Sequence, residues 1–103
     1  MTAKVIALYN TPADPKAFDD YYFQRHVPLA KGLPGLLRYE VNDGPVVDIE
    51  GKPACYLAAT LSFESLQAVQ VALASEVGAA AAADLANFAT AGVNLLIFAS
   101  KEV

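Results

Sequence analysis

Tryptophan is absent from this 103-residue chain, and cysteine, histidine and methionine occur once each. Charge is scarce as well: Lys, Arg, Asp and Glu make up 17% of the residues, against a usual level of about 25%. Each shortage excludes something. A lone Cys55 forms no internal disulfide, and with a lone His26 it makes no His/Cys zinc set within one chain. Such sparing cysteine use fits a reducing, cytoplasmic compartment. Seven cations against eleven acids give a net charge of −4, without the basic face that nucleic acid requires. The 16-residue uncharged run 85–100 is interrupted by Asn87, Thr90 and Asn94, and a membrane span needs about 20 mostly apolar residues. The segment Val5 to Leu8 is too short for a signal-peptide core. Nucleotide-binding glycine fingerprints, GxSxG, HExxH and CxxC are all missing. The expectation is a protein with no cofactor, no metal, no nucleic-acid partner and no membrane partner.

What is present is apolar. Residues of the AVILMFWYC set make up 55% of the chain, with 20 Ala, and with 30 Leu, Ile, Val and Phe between them. That excludes disorder and is enough for one domain over residues 1–103. Lys4 to Tyr9 reads as a buried strand ended by Asn10, Thr11 and Pro12. Asp14-Pro15 opens a helix running to Arg25 or His26, because Asp caps free N–H groups and Pro suits the first helical position. Pro28 predicts that the helix ends or breaks at Val27. After the turn Leu33-Pro34-Gly35, Leu36 to Val41 reads as the second strand. Residues 43–52 read as an acidic loop or small hairpin. Ala54 to Phe63 reads as the third strand, with Cys55, Leu57, Ala59 and Leu61 on one face, and with Cys55 a small core residue. Ser62 is placed to cap a second helix over 64–74. The alanines 79–83 extend helix over 76–90, Gly92 ends it, and Val93 to Ala99 is the last strand.

The order β-α-β-β-α-β, with an added alanine-rich helix, predicts an α+β ferredoxin-like sandwich. Its strands are apolar on both faces, which a solvated sheet face would not be. A second copy packed sheet against sheet resolves this and predicts a homodimer.

Three features point to a site. His26 shares a helical row with Phe18 and Tyr22, which turns it toward the core; the plainer alternative is a surface histidine at a helix end. Tyr9, Tyr39 and Tyr56 lie in or at the ends of strands, where buried hydroxyls need partners or a wet cavity. The segment 21–39 holds Arg25, Lys31 and Arg38 with no acid, while the other 84 residues carry 4 bases and 11 acids. Asp84 and Phe88, one turn apart, are candidates for the edge of a pocket, although Asp84 reads equally as a surface acid.

In order along the chain, Tyr9, Pro12, Asp14, Phe18, Tyr22, His26-Val27-Pro28-Leu29, Leu33-Pro34-Gly35 and Tyr39 resemble the signature of the EthD family. Phe63, Ser65, Ser75 and the Asp84/Phe88 pair resemble its second half. The resemblance implies a ferredoxin-like subunit whose sheet forms a dimeric α+β barrel with that of a partner. It also implies a pocket between sheet and helices, with His26 as its polar group. Related branches include cofactor-free quinone-forming monooxygenases, lactone isomerases and enzymes of aromatic polyketides, so membership alone does not fix the chemistry.

Two functions follow as expectations. One is a cofactor-independent enzyme of oxidoreductase, isomerase or lyase type acting on a small aromatic, lactone or quinone-like metabolite. In it His26 is acid and base, Tyr9 and Tyr39 orient the substrate, and Arg25 or Arg38 offsets negative charge. Phe18, Tyr22, Asp84 and Phe88 complete the substrate-binding set. The other is a non-catalytic dimer that binds a small hydrophobic molecule or assists a degradation system for organic compounds.

Overall fold

The computed structural model describes residues 2–103. Strand β1 (Thr2–Tyr9) leads into helix α1 (Pro15–Tyr21), a π turn (Tyr22–His26) and helix α2 (Val27–Ala30). Strand β2 (Arg38–Val41) is followed by a two-stranded hairpin, β3 (Val46–Val47) and β4 (Pro53–Cys55). Strand β5 (Leu57–Phe63), helices α3 (Leu66–Ala74) and α4 (Glu76–Phe88), and strand β6 (Val93–Ser100) complete the chain. The main sheet is antiparallel in the order β2-β5-β1-β6. This is the ferredoxin-like α+β sandwich that the element order predicts.

Period-two alternation decides which face is covered. Ala3, Ala7 and Tyr9 of β1 are buried, as are Leu57, Ala59, Leu61 and Phe63 of β5, and they form the core with Phe18, Tyr22, Val69, Ala72 and Phe88 of the helices. The even-numbered residues lie on the other face. There Lys4 Nζ donates to Ser62 Oγ at 2.9 Å, and Leu96 and Phe98 remain exposed. Strand β6 is an edge, and Leu95 and Ile97 on its helix-side face are exposed as well.

Local chemistry sets the helix ends, with some departures from expectation. Asp14 Oδ1 accepts from the Ala17 N–H at 3.1 Å, and Pro15 follows as the first helical residue. The break predicted at Val27-Pro28 does not occur. Pro28 lacks the N–H of a continuing α-helix and its ring would meet the carbonyl four residues back. The chain widens by one residue, the Val27 N–H reaching the Tyr22 carbonyl, and the helix resumes. The cap of α3 is Ser65, which accepts from the Ala68 N–H at 3.1 Å, rather than Ser62, which lies inside β5. The third predicted strand is two: Tyr56 separates β4 from β5 and its N–H bonds to the Tyr9 carbonyl. Cys55 therefore belongs to the half-buried hairpin beside Val46, not to the core. Asp48 Oδ1 closes that hairpin by accepting from the Glu50 and Lys52 N–H groups.

Helices α3 and α4 meet at an angle of 74°. Ser75 serves both ends, its Oγ bonding the Ala72 carbonyl and accepting from the Gly78 N–H at 3.0 Å. Glycine is required at 78, because a Cβ there would run into the Ala72 and Leu73 carbonyls. No single helix of the described residues is long and apolar enough to cross a membrane.

Candidate active site

A cavity of about 100 Å³ lies between the sheet and the helices. Small residues make the room. Ala7 and Ala59, cross-strand neighbours on β1 and β5, form its floor. Gly78, Ala81 and Ala82 of α4 form its roof, and Leu73 and Leu95, both half-exposed, stand at its mouth. A wider surface groove of about 570 Å³, beside Thr2, Ser65 and Ala99, contains neither the histidine nor any tyrosine.

The polar groups of the cavity come from three elements: Tyr9 ends β1, His26 ends the π turn and Tyr39 lies in β2. His26 is buried, with its ring stacked on Tyr22 at 5.5 Å and tilted against Phe88 at 4.7 Å. Its Nδ1 lies 2.9 Å from Asp84 Oδ2. The other Asp84 oxygen accepts from the Tyr21 hydroxyl at 2.6 Å and from Asn87 Nδ2 at 2.9 Å. Burial alone would raise the Asp84 pKa. The hydrogen bonds from Tyr21, Asn87 and His26 outweigh it and hold the carboxyl below its ordinary range. An ionised Asp84 only accepts, so His26 Nδ1 carries the proton, and the neutral tautomer that this selects has its lone pair on Nε2.

The tyrosines are set for the opposite role. Burial raises the pKa of Tyr9, and the nearby Tyr39 and Asp84 add to it. Burial also raises Tyr22, with Tyr39 contributing. Tyr39 is raised by burial and eased back by its hydrogen bond with Tyr22, whose hydroxyl lies 2.5 Å away. All three stay neutral near pH 7 and serve as hydrogen-bonding groups rather than bases. Neither Tyr9 Oη nor His26 Nε2 has a hydrogen-bond partner among the described residues. No fully buried side-chain nitrogen or oxygen is left unpaired among the described residues, so both atoms keep some exposure, and both residues line the cavity.

A model described as the EthD domain matches residues 10–92. The chain belongs to the EthD family. An uncharacterized 11.0 kDa protein of Rhodococcus erythropolis, from the thcB-thcC intergenic region, is 44% identical over 94 residues, covering 90% of this chain and 89% of that one. The crystal structure of an EthD family protein from Bacillus halodurans C-125 is 32% identical, with a TM-score of 0.87 over 98% of this chain and 100% of that one. Two likenesses at 16% identity are likenesses of fold alone. SnoaB of Streptomyces nogalater, a cofactor-independent oxygenase, has a TM-score of 0.67 over 99% of this chain and 95% of its own. A dimeric ferredoxin-like protein of Thermobifida fusca has a TM-score of 0.69 over 97% and 92%.

Tyr9, His26 and Tyr39 share one cavity. Asp84 stands behind His26 as its carboxylate partner, not as a surface acid. Phe18 and Tyr22 belong to the packed aromatic layer under the site. Phe88 joins them, its ring 5.4–5.7 Å from Tyr9, Phe18, Tyr21 and Tyr22. Arg25 and Arg38 are not brought there; both are exposed. Arg38 pairs in register with Ser62, so alternation turns it to the face opposite Tyr39. Tyr56 is also elsewhere, donating to Asp19 at 2.8 Å beside the β3–β4 hairpin. Tyr21 and Asn87 were not singled out by sequence. The i, i+3 spacing of Asp84 and Asn87 on one helix was the available signal for Asn87. Among the described residues no three His, Cys, Asp or Glu side chains are grouped so as to hold a metal ion.

Proposed function

We propose that this EthD-family protein is a small cofactor-independent enzyme acting on an aromatic, lactone or quinone-like compound in the cavity. His26 acts as general base and then general acid, and Asp84 fixes its tautomer. The observation that carries this reading is the part-buried His26–Asp84 pair at 2.9 Å, whose second imidazole nitrogen has no hydrogen-bond partner among the described residues and belongs to a residue lining an apolar chamber. Proton transfer by a positioned imidazole suits neutral pH. Tyr9 and Tyr39 orient the substrate through neutral hydroxyls. The likeness to an oxygenase described as cofactor-independent supports the fold's capacity for such chemistry.

The working form in this proposal is a homodimer. Leu96 and Phe98 on the sheet's outer face, and Leu95 and Ile97 on the inner face of the same edge strand, are all 44–50% exposed. A long apolar edge strand left bare invites aggregation. Light scattering at micromolar concentration should give a dimer mass, and a monomer would remove this part.

Turnover is sought among small phenols, lactones and quinones, and wild type is compared with His26→Ala and His26→Gln. Both variants should lose about 10²–10⁴ in rate, or about 3–5 kcal/mol of barrier. Retention of more than about a third of the rate would remove His26 from the chemistry, and no turnover of any of these compounds by wild type would place the protein with non-catalytic binders, the reading favoured by the mostly apolar lining of the cavity.

A further inference from the structure

Resting on that reading of the site but not on its turnover, we infer that the cavity selects an uncharged ring bearing one hydroxyl, a simple phenol in type, and rejects anions. Two observations combine. The first is the pair of open polar atoms, one of each kind. His26 Nε2, with Nδ1 committed to Asp84, accepts a hydrogen bond. The Tyr9 hydroxyl, without a hydrogen-bond partner among the described residues, has a hydrogen to give. A ligand hydroxyl donates to the imidazole and accepts from the tyrosine, whereas a ketone or an ether leaves the imidazole nitrogen unpaired, at a cost in affinity.

The second is the charge around the chamber. None of the chain's Lys or Arg residues lines it. Arg25 and Arg38 are exposed outside it, and Lys4 is held by Ser62 on the far face of the sheet. The ionised Asp84 lies directly behind His26. A carboxylate or phosphate in the chamber would therefore be desolvated with no counter-ion and would face an existing negative charge. Size agrees with this. A dry cavity of about 150 Å³ in another protein takes up benzene, and this one, about 100 Å³ and open at Leu73 and Leu95, takes one ring with any remainder left in the mouth. Ala81 stands in the roof, where a longer side chain would take up part of that space.

Calorimetric titration at pH 8 with phenol, anisole and salicylate tests this. Phenol, with so few atoms, should bind with a Kd of about 1 mM. Anisole cannot donate, and salicylate carries its carboxylate beside the hydroxyl; each should bind at least about tenfold more weakly. Ala81→Leu, shown to be folded by its melting curve, should weaken phenol by a similar factor, and Tyr9→Phe provides a second variant with the same expectation. Salicylate or anisole binding within about threefold of phenol, or an absence of phenol binding, overturns the inference. If phenol binds as stated yet nothing is turned over, the inference stands and the enzyme reading falls. If a charged compound is turned over with dependence on His26, the reverse holds.

Discussion

The two walls of the cavity are made of opposite materials. The wall from the end of β1 and the π turn carries Tyr9 and His26, backed by Phe18 and Tyr22, with ring centroids 5.5–5.7 Å apart. Edge-to-face and offset contacts at such spacing lock each ring against its neighbours. The wall from α4 offers Gly78, Ala81 and Ala82, residues with no rotamers to fix and no polar side-chain atoms. One wall sets positions and the other leaves space. The division follows from the local sequence: five alanines favour helix at no side-chain entropy cost but fill nothing, while the aromatic row of α1 cannot be shortened without opening a hole.

Phe88 joins the walls, since it grows from α4 and packs into the aromatic cluster. Phe88→Ala should have the largest effect on stability, about 3–5 kcal/mol in denaturant unfolding. It should also release His26, whose ring it contacts at 4.7 Å. A loss below about 1 kcal/mol would mean that the aromatic wall holds its shape without the helix opposite.

Asp84→Asn comes next. The variant keeps the shape but removes the charge that accepts from Tyr21, Asn87 and His26, and should cost about 1–3 kcal/mol at neutral pH. Because the folded-state pKa of Asp84 lies below the ordinary value, its contribution is present above about pH 4 and is lost as pH falls from there through the folded value. The tyrosines act at the other limit. Tyr9, Tyr22 and Tyr39 are held above their ordinary value. Their contribution is intact below about pH 10 and falls as pH climbs beyond it, where the unfolded chain ionises first. Denaturation midpoints measured across pH should show the acid limb flattened in Asp84→Asn and the alkaline limb retained.

This contrast also marks what could be read from sequence. The aromatic wall was legible because Phe18, Tyr22 and His26 repeat every four residues and Asp14-Pro15 fixes where the helix starts. The strands were legible from alternation, as at Leu57, Ala59 and Leu61. The space opposite was not, because an alanine in the roof of a cavity and an alanine on the outside of a helix are the same residue in the same run. Arg25 misled for a different reason. The net positive charge of segment 21–39 draws it to the site, but a charge count carries no information on which helix face a residue occupies; Arg25 lies on the exposed one. The partnership of His26 and Asp84 spans 58 positions, and no local period reaches so far.

Smaller effects test the frame of each wall. Asp14→Ala removes the cap of α1, where Oδ1 accepts from Ala17, and should cost about 1 kcal/mol. An unchanged midpoint would show that the packing of Phe18 alone holds the start of that helix.

The smallest expected effect lies within the alanine run itself. Ala83 is exposed on α4, two residues from Ala81, which is partly covered and lines the cavity. Successive helical residues are about 100° apart, so these two point in widely different directions. Ala83→Gln replaces the best helix former with a good one at a solvent-facing position, and should change stability by less than about 0.5 kcal/mol. Phenol binding should not change, although Ala81→Leu in the same run should weaken it about tenfold. The pair separates the two duties that this run combines, because only one of the two alanines borders empty space. Equal losses of binding in both variants would mean that the roof responds as a unit, with helix α4 shifting under either substitution, and the division between a positioning wall and a spacing wall would then fail.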